Sequence, residues 1–285
     1  MDHAFPANAA RPLIELAILE DFGDKGDLSS TLVFEGSARS KARWIAKAEG
    51  VLAGLPVVPL VFEALHMPVV KVEFLKHDGD KVAKGDLIAT FEGPTIALLG
   101  AERTMLNFVQ QLSGTATATA RYVAETAGTK CRILDTRKTI PGWRELQKYA
   151  VRCGGGSNHR MGLFDMIMLK DNHVAACGGV SAAIERVLAT RPEGIPVEVE
   201  VETLDQLREA LRYPVERIML DNMPLETMAE AVKIVRAAGH KAELEASGNM
   251  TLERIAPVAA TGVDLISIGA LTHSVKALDI SMRFE

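Results

Sequence analysis

The sequence predicts an α/β protein whose C-terminal part forms a parallel sheet, closed or partly closed as a barrel. From about residue 130 onward, short apolar stretches alternate with longer stretches of helical periodicity. One strand and one helix together take about 20 to 35 residues, which is typical of consecutive βαβ units. Polar residues or glycine follow each predicted strand, as expected where the carboxyl ends of barrel strands form a site.

Length and composition limit the class of protein. The chain has 285 residues, which suffices for two domains or for one barrel with an extension. Hydrophobic residues make up 48% and charged residues 24%, as in an ordinary globular protein. The sequence has no run of roughly 18 apolar residues that could span a membrane, and its start, MDHAFPANAARP, lacks the pattern of a secretory signal. We therefore expect a cytoplasmic protein without a membrane partner.

Charge and cysteine content exclude further classes. The formal net charge is -5 and aromatic residues make up only 5%, whereas general nucleic-acid binding requires a basic face with stacking rings. The cysteines, Cys131, Cys153 and Cys177, are widely spaced and form no C-x2-C pair. Neither a disulfide framework nor a thiolate metal site is indicated.

The N-terminal third predicts one helix followed by short strands. Pro12 to Glu20 has apolar residues at helical spacing, and the stretch DFGDKGDLSS after it is typical of a loop. Ser40 to Val58 contains strand-like pieces broken by glycine, and alternating apolar pieces between Val69 and Phe91 flank the turns HDGD and AKGD, which predicts hairpins. The hairpin stretch resembles half of a biotinyl or lipoyl carrier domain, but it lacks the lysine to which a prosthetic group would be attached.

The rest of the chain predicts a long helix and then alternating strands and helices. Ala101 to about Ala127 is helical, because Met105, Leu106 and Val109 recur at helical intervals. The strands predicted after it are Arg132 to Asp135, Met166 to Leu169, Val197 to Val201, Arg217 to Leu220, Ala242 to Ala246 and Asp264 to Ile268. The helices predicted there are Trp143 to Val151, Val180 to Ala189, Leu204 to Leu211, Leu225 to Ala238 and Leu252 to Ala260.

The residues that end or follow these strands predict one shared site, because several strand ends supply the catalytic groups of a βα-barrel. In chain order they are Asp135, Arg137 and Lys138; Lys170, Asp171, Asn172 and His173; Glu200; Asp221 and Asn222; Glu245, Ser247, Gly248 and Asn249; Gly269 and Ala270. Every predicted strand thus ends in polar groups or glycine. This mixture is better explained by one shared site than by the ordinary composition of loops.

A basic cluster favours an anionic ligand. The segment from Cys131 to His173 is rich in cations although the chain is acidic overall: Arg137, Lys138, Arg152, His159, Arg160 and Lys170. Such side chains bind carboxylates and phosphates, and arginine can hold a carboxylate through two parallel hydrogen bonds. His159 and His173 are poorly spaced for zinc and have no third ligand beside them, so a structural or anion-binding role is favoured.

Two acids and two turns complete the predicted site. Glu200 and Asp221 suit ribose hydroxyls or a Mg²⁺ ion shared with phosphate oxygens. Ser247-Gly248-Asn249 and Ile268-Gly269-Ala270 lie where a strand turns toward a helix, so their backbone N–H groups could hold a phosphate. The residues alone thus favour a ligand with carboxylate or phosphate groups, next to either a ribose or a cation bound to phosphate.

Longer segments resemble a known family. They are AERTMLNFVQQLSG, DTRKTIPGWRELQKYAVRCGGGSNHR, MLKDNH, VEVEVETL, MLDN, LEASGN and DLISIGALTHSVKALDIS, in this order along most of the chain. They are similar to the quinolinate phosphoribosyltransferases, decarboxylating enzymes of NAD synthesis. Small departures stand at Ser157, Ile140, Trp143 and Asn249, where the family favours valine, threonine, a smaller apolar residue and glycine, respectively. None of these departures removes a charged group.

The resemblance implies a fold of two domains. Residues 1–112 would form an N-terminal α/β sandwich domain, which the tail, residues 275–285, would join. Residues 113–274 would form an open α/β barrel of TIM-like type with about seven strands. The resemblance also implies a homodimer in which Arg103 of one subunit enters the pocket of the other, and it leaves open whether dimers assemble further into a hexamer.

The resemblance further implies the role of each site residue. Quinolinate would contact Arg103, Arg137, Lys138, His159, Arg160 and Lys170. The ribose and phosphates of phosphoribosyl pyrophosphate (PRPP) would contact Glu200, Asp221, Ser247, Gly248, Asn249, Ile268, Gly269 and Ala270. The catalytic residues would be Lys138, Lys170, Glu200 and Asp221. Mg²⁺ bound with PRPP would lie at Glu200 and Asp221, directly or through water, and no organic cofactor is implied.

Three other functions stay open at this level. A phosphoribosyltransferase-like family linked to molybdate transport shares a DTRKT-like segment, but Arg160 after His159, the motif KDNH and the ending GALTHSVKALDIS favour the quinolinate enzymes. A barrel with Lys138 and Lys170 at strand ends could also be a Schiff-base aldolase. Only the carrier-like hairpin stretch favours a non-catalytic carrier or binding module.

Overall fold

The computed structural model describes residues 4–67 and 70–285. These residues form two compact units. Of the described residues, the first unit comprises 4–67, 70–120, Thr139–Gly155 and Ala270–Glu285, and the second comprises Arg121–Lys138 and Gly156–Gly269. The first three residues of the chain, and Val69, where the predicted hairpin stretch begins, lie outside the described residues. In the described part of the chain, no helix combines the length and the apolar character needed to cross a membrane.

The described residues contain helices and strands along the whole chain. The helices are α1 Ala7–Phe22, α2 Leu28–Val33, α3 Val57–Ala64, α4 Thr95–Ala124, α5 Arg144–Cys153, α6 Asp171–Cys177, α7 Val180–Thr190, α8 Leu204–Ala210, α9 Leu225–Ala237, α10 Leu252–Ala260 and α11 Ala270–His273. The strands are β1 Arg39–Ala46, β2 Gly50–Val51, β3 Lys71–Phe74, β4 Lys81–Val82, β5 Leu87–Pro94, β6 Arg132–Leu134, β7 Ile167–Leu169, β8 Val197–Val201, β9 Arg217–Asp221, β10 Glu243–Ser247, β11 Leu265–Ser267 and β12 Ile280–Phe284.

The first unit contains an antiparallel sheet in the order β12-β1-β5-β3. The last strand of the chain, β12, pairs with β1 so that Ile280 lies opposite Ala46. The core of this unit is apolar; Trp44 and Phe91 are buried there with their ring centroids 5.2 Å apart. Burial of such apolar surface is the main source of folding free energy.

Three expectations for the first unit are wrong. The stretch DFGDKGDLSS, expected as a loop, contains the start of α2, because the Asp27 side chain caps that helix by accepting a hydrogen bond from the N–H of Ser30 (2.9 Å). Val57 and Val58, expected in strand-like structure, begin α3, because burial of both side chains outweighs the strand propensity of valine. The turns HDGD and AKGD do not close simple hairpins, since β3 pairs with β5 and β2 pairs with β4.

The second unit contains a parallel sheet of six strands in the order β6-β11-β10-β9-β8-β7. All six predicted strands are confirmed with ends within one residue of the prediction, and the short helix α6 was not predicted. The resemblance implied about seven strands; beside β6, Leu134 and Ser157 form a single parallel bridge where a further strand would stand. The domain boundary expected at residues 112 and 113 falls inside α4 and stays a prediction.

Alternation along β8 gives the parallel sheet one polar face. Val197, Val199 and Val201 are fully buried on one side, whereas Glu198 and Glu200 point to the other. Parallel strands covered on both faces are normally apolar on both. The acidic side of β8 therefore indicates a polar interior for this unit.

Candidate active site

Two carboxylates lie at the ends of neighbouring strands. Glu200 belongs to β8 and Asp221 ends β9, and these strands pair in parallel. Burial, and after it the negative charge of Asp221, raises the pKa of Glu200. Lys170, directly after β7, has its Nζ 3.9 Å from Glu200 Oε2. Hydroxyl donors or a further cation at the two acids would favour their charged forms.

This acid pair fits the expected magnesium ion. Mg²⁺ prefers oxygen ligands, and protein sites often supply one or two carboxylates while substrate phosphates supply the rest. The pKa of Glu200 is raised even though Lys170 is near it, so the pair has room for additional positive charge. Glu200 and Asp221 are the residues that would hold the ion.

A set of hydrogen bonds that we call the asparagine clasp connects the ends of β9 and β10. Asn222 Nδ2 donates to Asp221 Oδ2 (2.7 Å), and Asn222 Oδ1 accepts from Asn249 Nδ2 (3.2 Å). The backbone N–H of Asn222 donates to the carbonyl of Ser247 (3.0 Å). A Cβ at Gly248 would lie 2.1 Å from Asn222 Oδ1, and Gly248 has a φ of 97°, so this position requires glycine.

Two arginines of the predicted pocket act on each other electrostatically. Arg160 is buried, and its Nη1 donates to the carbonyl of Met166 (3.1 Å). Burial, and after it the positive charge of Arg137, lowers the pKa of Arg160. Lys138 is exposed, next to Arg137 in the chain. Cations held close together, with one guanidinium out of bulk water, favour a bound carboxylate or phosphate.

Asp135 fixes the loop that carries Arg160. It is fully buried after β6, where its Oδ1 accepts from the N–H of His159 (2.8 Å) and its Oδ2 accepts from Nδ2 of Asn158 (2.6 Å). Hydrogen bonds to an ionised carboxylate are roughly twice as strong as neutral ones. Asp135 therefore positions the segment in which Arg160 follows His159.

The ring of His159 lies in a buried ion network. Its Nε2 is 3.1 Å from Glu198 Oε2 and 3.4 Å from Glu245 Oε2. Arg217 adds its Nη1 at 3.2 Å from Glu245 Oε2. The other ring nitrogen, Nδ1, accepts a hydrogen bond from the N–H of Arg160 (2.7 Å). Both ring nitrogens thus contact protein groups.

Two influences on the protonation of this ring oppose each other. Burial lowers the pKa of His159, but hydrogen bonds and charges of Glu198 and Glu245 outweigh burial and raise it to about 9. The backbone N–H of Arg160 favours a lower pKa of His159, because it donates to Nδ1 and a proton on Nδ1 would place two N–H donors face to face. Burial and after it the charge of Glu245 raise the pKa of Glu198, which lies beside this ring.

The expectation that no further possible ligand lies beside the two histidines is wrong for His159. His159, Glu198 and Glu245 bring possible ligand atoms within 4.8 Å of one another, but the guanidinium of Arg217 already supplies positive charge to both glutamates. His173 Nδ1 accepts a hydrogen bond from the N–H of Lys170 (3.1 Å) at the start of α6. The buried group is therefore an ion network, and His173 caps a helix.

The structure places most predicted site residues in the second unit. They are Arg137, Lys138, His159, Arg160, Lys170, Glu200, Asp221, Ser247, Gly248, Asn249, Ile268 and Gly269. Arg103, exposed on α4, and Ala270, at the start of α11, belong to the first unit. Sequence reasoning missed Glu198 and Arg217, although the alternation VEVEV in β8 was a visible signal of a polar interior. The ligand contacts assigned to all these residues stay predictions.

Comparison with known proteins decides between the families left open by the sequence. Residues 27–113 match the model for the N-terminal domain of quinolinate phosphoribosyl transferase, and residues 115–283 match the model for its C-terminal domain. The chain belongs to the quinolinate phosphoribosyltransferase family.

Relatives of the family are similar over nearly the whole chain. The probable nicotinate-nucleotide pyrophosphorylase of Bacillus subtilis is 45% identical over 95% of this chain and 92% of its own. The chloroplastic nicotinate-nucleotide pyrophosphorylase of Oryza sativa is 42% identical over 99% of this chain and 79% of its own. The solved nicotinate-nucleotide pyrophosphorylase of Francisella tularensis superimposes with a TM-score of 0.94 at 39% identity, covering 99% of this chain and 98% of that one.

Three of the four departures from the family pattern have local explanations. Ser157 makes two backbone hydrogen bonds that any side chain permits: its N–H donates to the carbonyl of Ile133 (2.8 Å), and its carbonyl accepts from the N–H of Asp135 (3.2 Å). Trp143 stacks on Phe108 with ring centroids 4.8 Å apart. Asn249 has a φ of 50°, a left-handed conformation that glycine and asparagine both adopt. Ile140 is 39% exposed, and nothing in the structure explains its preference over threonine.

Proposed function

We propose that the chain transfers the phosphoribosyl group of PRPP to quinolinate with decarboxylation, which yields nicotinic acid mononucleotide, CO₂ and pyrophosphate for NAD synthesis. The observation that carries this proposal is the match to both domains of the quinolinate phosphoribosyltransferase family. The candidate site supports it, because one group of cations and one pair of acids lie at the strand ends of the same unit.

The basic side chains would bind the dicarboxylate. Arg160 is buried and influenced by the charge of Arg137, so a carboxylate placed at both would offset their repulsion. Arg160 is also fixed in place, by its bond to Met166 and by the loop that Asp135 holds. Such fixed donors orient the ring of quinolinate so that its nitrogen faces the ribose.

The acids would stabilise the sugar during transfer. The lone pair of the pyridine nitrogen forms a bond to C1 of the ribose while the bond from C1 to the pyrophosphate oxygen breaks. Positive charge develops on the ribose, and the carboxylates of Glu200 and Asp221 stabilise it. Glu200 and Asp221 would hold a Mg²⁺ ion bound with PRPP, and the ion would supply positive charge for the leaving pyrophosphate.

Loss of CO₂ follows from the charge on the ring. Once the nitrogen carries the ribose it is positive, so the bond between C2 and its carboxylate can break with its electron pair left on C2. A proton then joins C2 to give nicotinic acid mononucleotide. No covalent bond to the protein is needed, and a trapped glycosyl-enzyme would contradict this account.

The homodimer stays part of this proposal. Arg103 is exposed on α4, so it is accessible for a role in the pocket of a second subunit. A Schiff-base aldolase is less well supported, because Lys170 forms an ion pair with Glu200 (3.9 Å) whereas imine formation requires a neutral amine. Borohydride trapping with a carbonyl substrate would distinguish the two reactions.

The first test mixes the purified protein with quinolinate, PRPP and Mg²⁺ and measures nicotinic acid mononucleotide and CO₂. We expect both products in equal amounts. If the folded protein binds PRPP but forms neither product, the acceptor is a different molecule and the molybdate-linked relatives become the better model.

The second test assigns the basic cluster. Arg137→Ala and Arg160→Ala should raise the KM for quinolinate much more than the KM for PRPP, since removing one partner of a buried charge pair costs about 2 to 5 kcal/mol. Arg208→Ala is the matched control, because Arg208 forms a surface ion pair with Asp205 (2.8 Å). Equal changes in both KM values would show that the cluster is assigned to the wrong substrate.

A further inference from the structure

Asn222 combines two unusual features at the end of β9. It has a φ of 52°, one of three positive values among the described residues other than glycine, with Asn249 and His66. Its side chain is exposed, yet both of its polar atoms are engaged, Nδ2 with Asp221 and Oδ1 with Asn249. Asparagine adopts this left-handed conformation routinely, so the feature that points to a role at a site is the pair of side-chain contacts that joins the ends of β9 and β10.

The clasp determines where one carboxylate oxygen of Asp221 points. Asn222 Nδ2 donates to Oδ2 at 2.7 Å, which fixes the carboxylate plane and leaves Oδ1 to accept from a ligand hydroxyl. An aspartate in place of Asn222 would remove this donor and set two carboxylates against each other. The amide is therefore the chemical group that this position requires.

The clasp also shapes the turn after β10. Asn222 Oδ1 occupies the place that a Cβ at Gly248 would take, 2.1 Å away, so the turn can approach β9 only with glycine there. The backbone bond from Asn222 to Ser247 and the side-chain bond to Asn249 hold both sides of that glycine. Arg254 Nη1 donates to the carbonyl of Asn249 (3.0 Å) and fixes the far side of the turn.

We propose that Asn222 is a positioning residue for the phosphoribosyl substrate: it orients Asp221 toward the ribose and holds the turn Ser247 to Asn249 in the shape that receives the phosphate. This inference rests on the proposed function for the nature of the ligand. Asn222 itself need not touch the substrate, and it has no part in binding quinolinate.

The experiment compares Asn222→Gly and Asn222→Asp with the unchanged protein. Glycine keeps the left-handed backbone without strain and removes only the side chain, so the fold is retained. Aspartate keeps the shape and changes the donor into a charge. His66→Gly is the control, since His66 has a φ of 55° in the first unit and no assigned role in the site.

Binding of PRPP with Mg²⁺ is measured by titration calorimetry, and the KM values of both substrates are measured by product formation. Loss of a hydrogen bond to a charged group should weaken PRPP binding by about tenfold or more in Asn222→Gly, and further in Asn222→Asp. The KM for quinolinate should change less than about twofold on this account, and His66→Gly should match the unchanged protein. Melting temperatures verify that each variant is folded.

Outcomes separate this inference from the proposed function. Unchanged PRPP binding in both Asn222 variants, or an equal loss for both substrates, would overturn the positioning role. If the unchanged protein binds PRPP but makes no nicotinic acid mononucleotide, the proposed reaction is wrong while the binding comparison still decides the role of Asn222. If it does not bind PRPP at all, both proposals are wrong.

Discussion

The two units bury different kinds of side chain. The first unit packs rings and aliphatic groups such as Trp44 and Ile88 into one apolar core, and among its described residues it buries one charged side chain, Lys148. The second unit buries Glu198 and Glu245 completely, with Arg217 between them. Buried charges carry a desolvation cost that their mutual attraction offsets only with good geometry. The second unit therefore adds an interacting group of buried charges to its apolar core, whereas the described residues of the first unit bury a single charged side chain.

The largest loss of stability should come from removing one charge of the buried ion network in the second unit. Arg217→Met keeps a long side chain but removes the guanidinium that lies between two buried glutamates, which should lower the free energy of unfolding by about 3 to 5 kcal/mol. Urea unfolding at pH 7 measures it, with Arg208→Met on the surface as the control.

Replacing the charges together sharpens the same comparison. A triple variant, Glu198→Leu, Glu245→Leu and Arg217→Met, removes all three charges and should be more stable than Arg217→Met alone. If the triple variant loses more stability than the single variant, the network is a net source of stability and the contrast between the units is wrong.

A smaller effect is expected from an equally conservative change in the apolar core. Ile88→Val deletes one methylene from a fully buried side chain of β5, which should cost about 0.5 to 1.5 kcal/mol in the same urea experiment. Activity of the folded variant should be unchanged. A loss comparable to that of Arg217→Met would mean that both interiors are equally intolerant of change.

The smallest effect concerns the cap of α2 and depends on pH. Hydrogen bonds from the side chain and then the backbone of Ser30 lower the pKa of Asp27, so the cap stabilises the fold above about pH 4 and is lost as the pH falls through the depressed value. Asp27→Asn should cost less than about 1 kcal/mol at pH 7. The stability of the Asp27→Asn variant should also fall less than that of the unchanged protein between pH 5 and pH 3. Thermal melting measures both, and an equal fall in melting temperature for the two proteins would contradict this.

Local patterns sufficed for the second unit because its strands and helices repeat regularly. The helix Leu252–Ala260 was predicted to the residue, and every predicted strand of this unit was found. The first unit was harder, since α3 begins with two valines that favour strands in isolation. The secondary structure of such a segment depends on the distant residues that pack against it, and these cannot be identified from the local sequence.

The candidate site was partly visible in the sequence. Glu200, Asp221 and the cations could be found because they follow apolar strands, whereas Asn222 was seen only as a polar residue at a strand end. The role proposed for Asn222 depends on its positive φ and on its contact with Gly248, 26 positions later. Neither feature can be predicted from the residue type. Arg217 was also overlooked, because an arginine at the start of a strand is usually a surface charge. In the structure its side chain is 87% buried and lies against the buried glutamates.

The pairing of β12 with β1 sets an order of events during synthesis. Ile280 joins Ala46 across more than 230 positions of chain, so the ribosome finishes the first sheet only when it has made almost the last residue. At about 5 to 20 residues per second, β1 waits on the order of 10 to 50 seconds with one edge open. Nascent β1 therefore offers an unpaired edge to chaperones while the parallel sheet of the second unit, complete at Ser267, can already assemble.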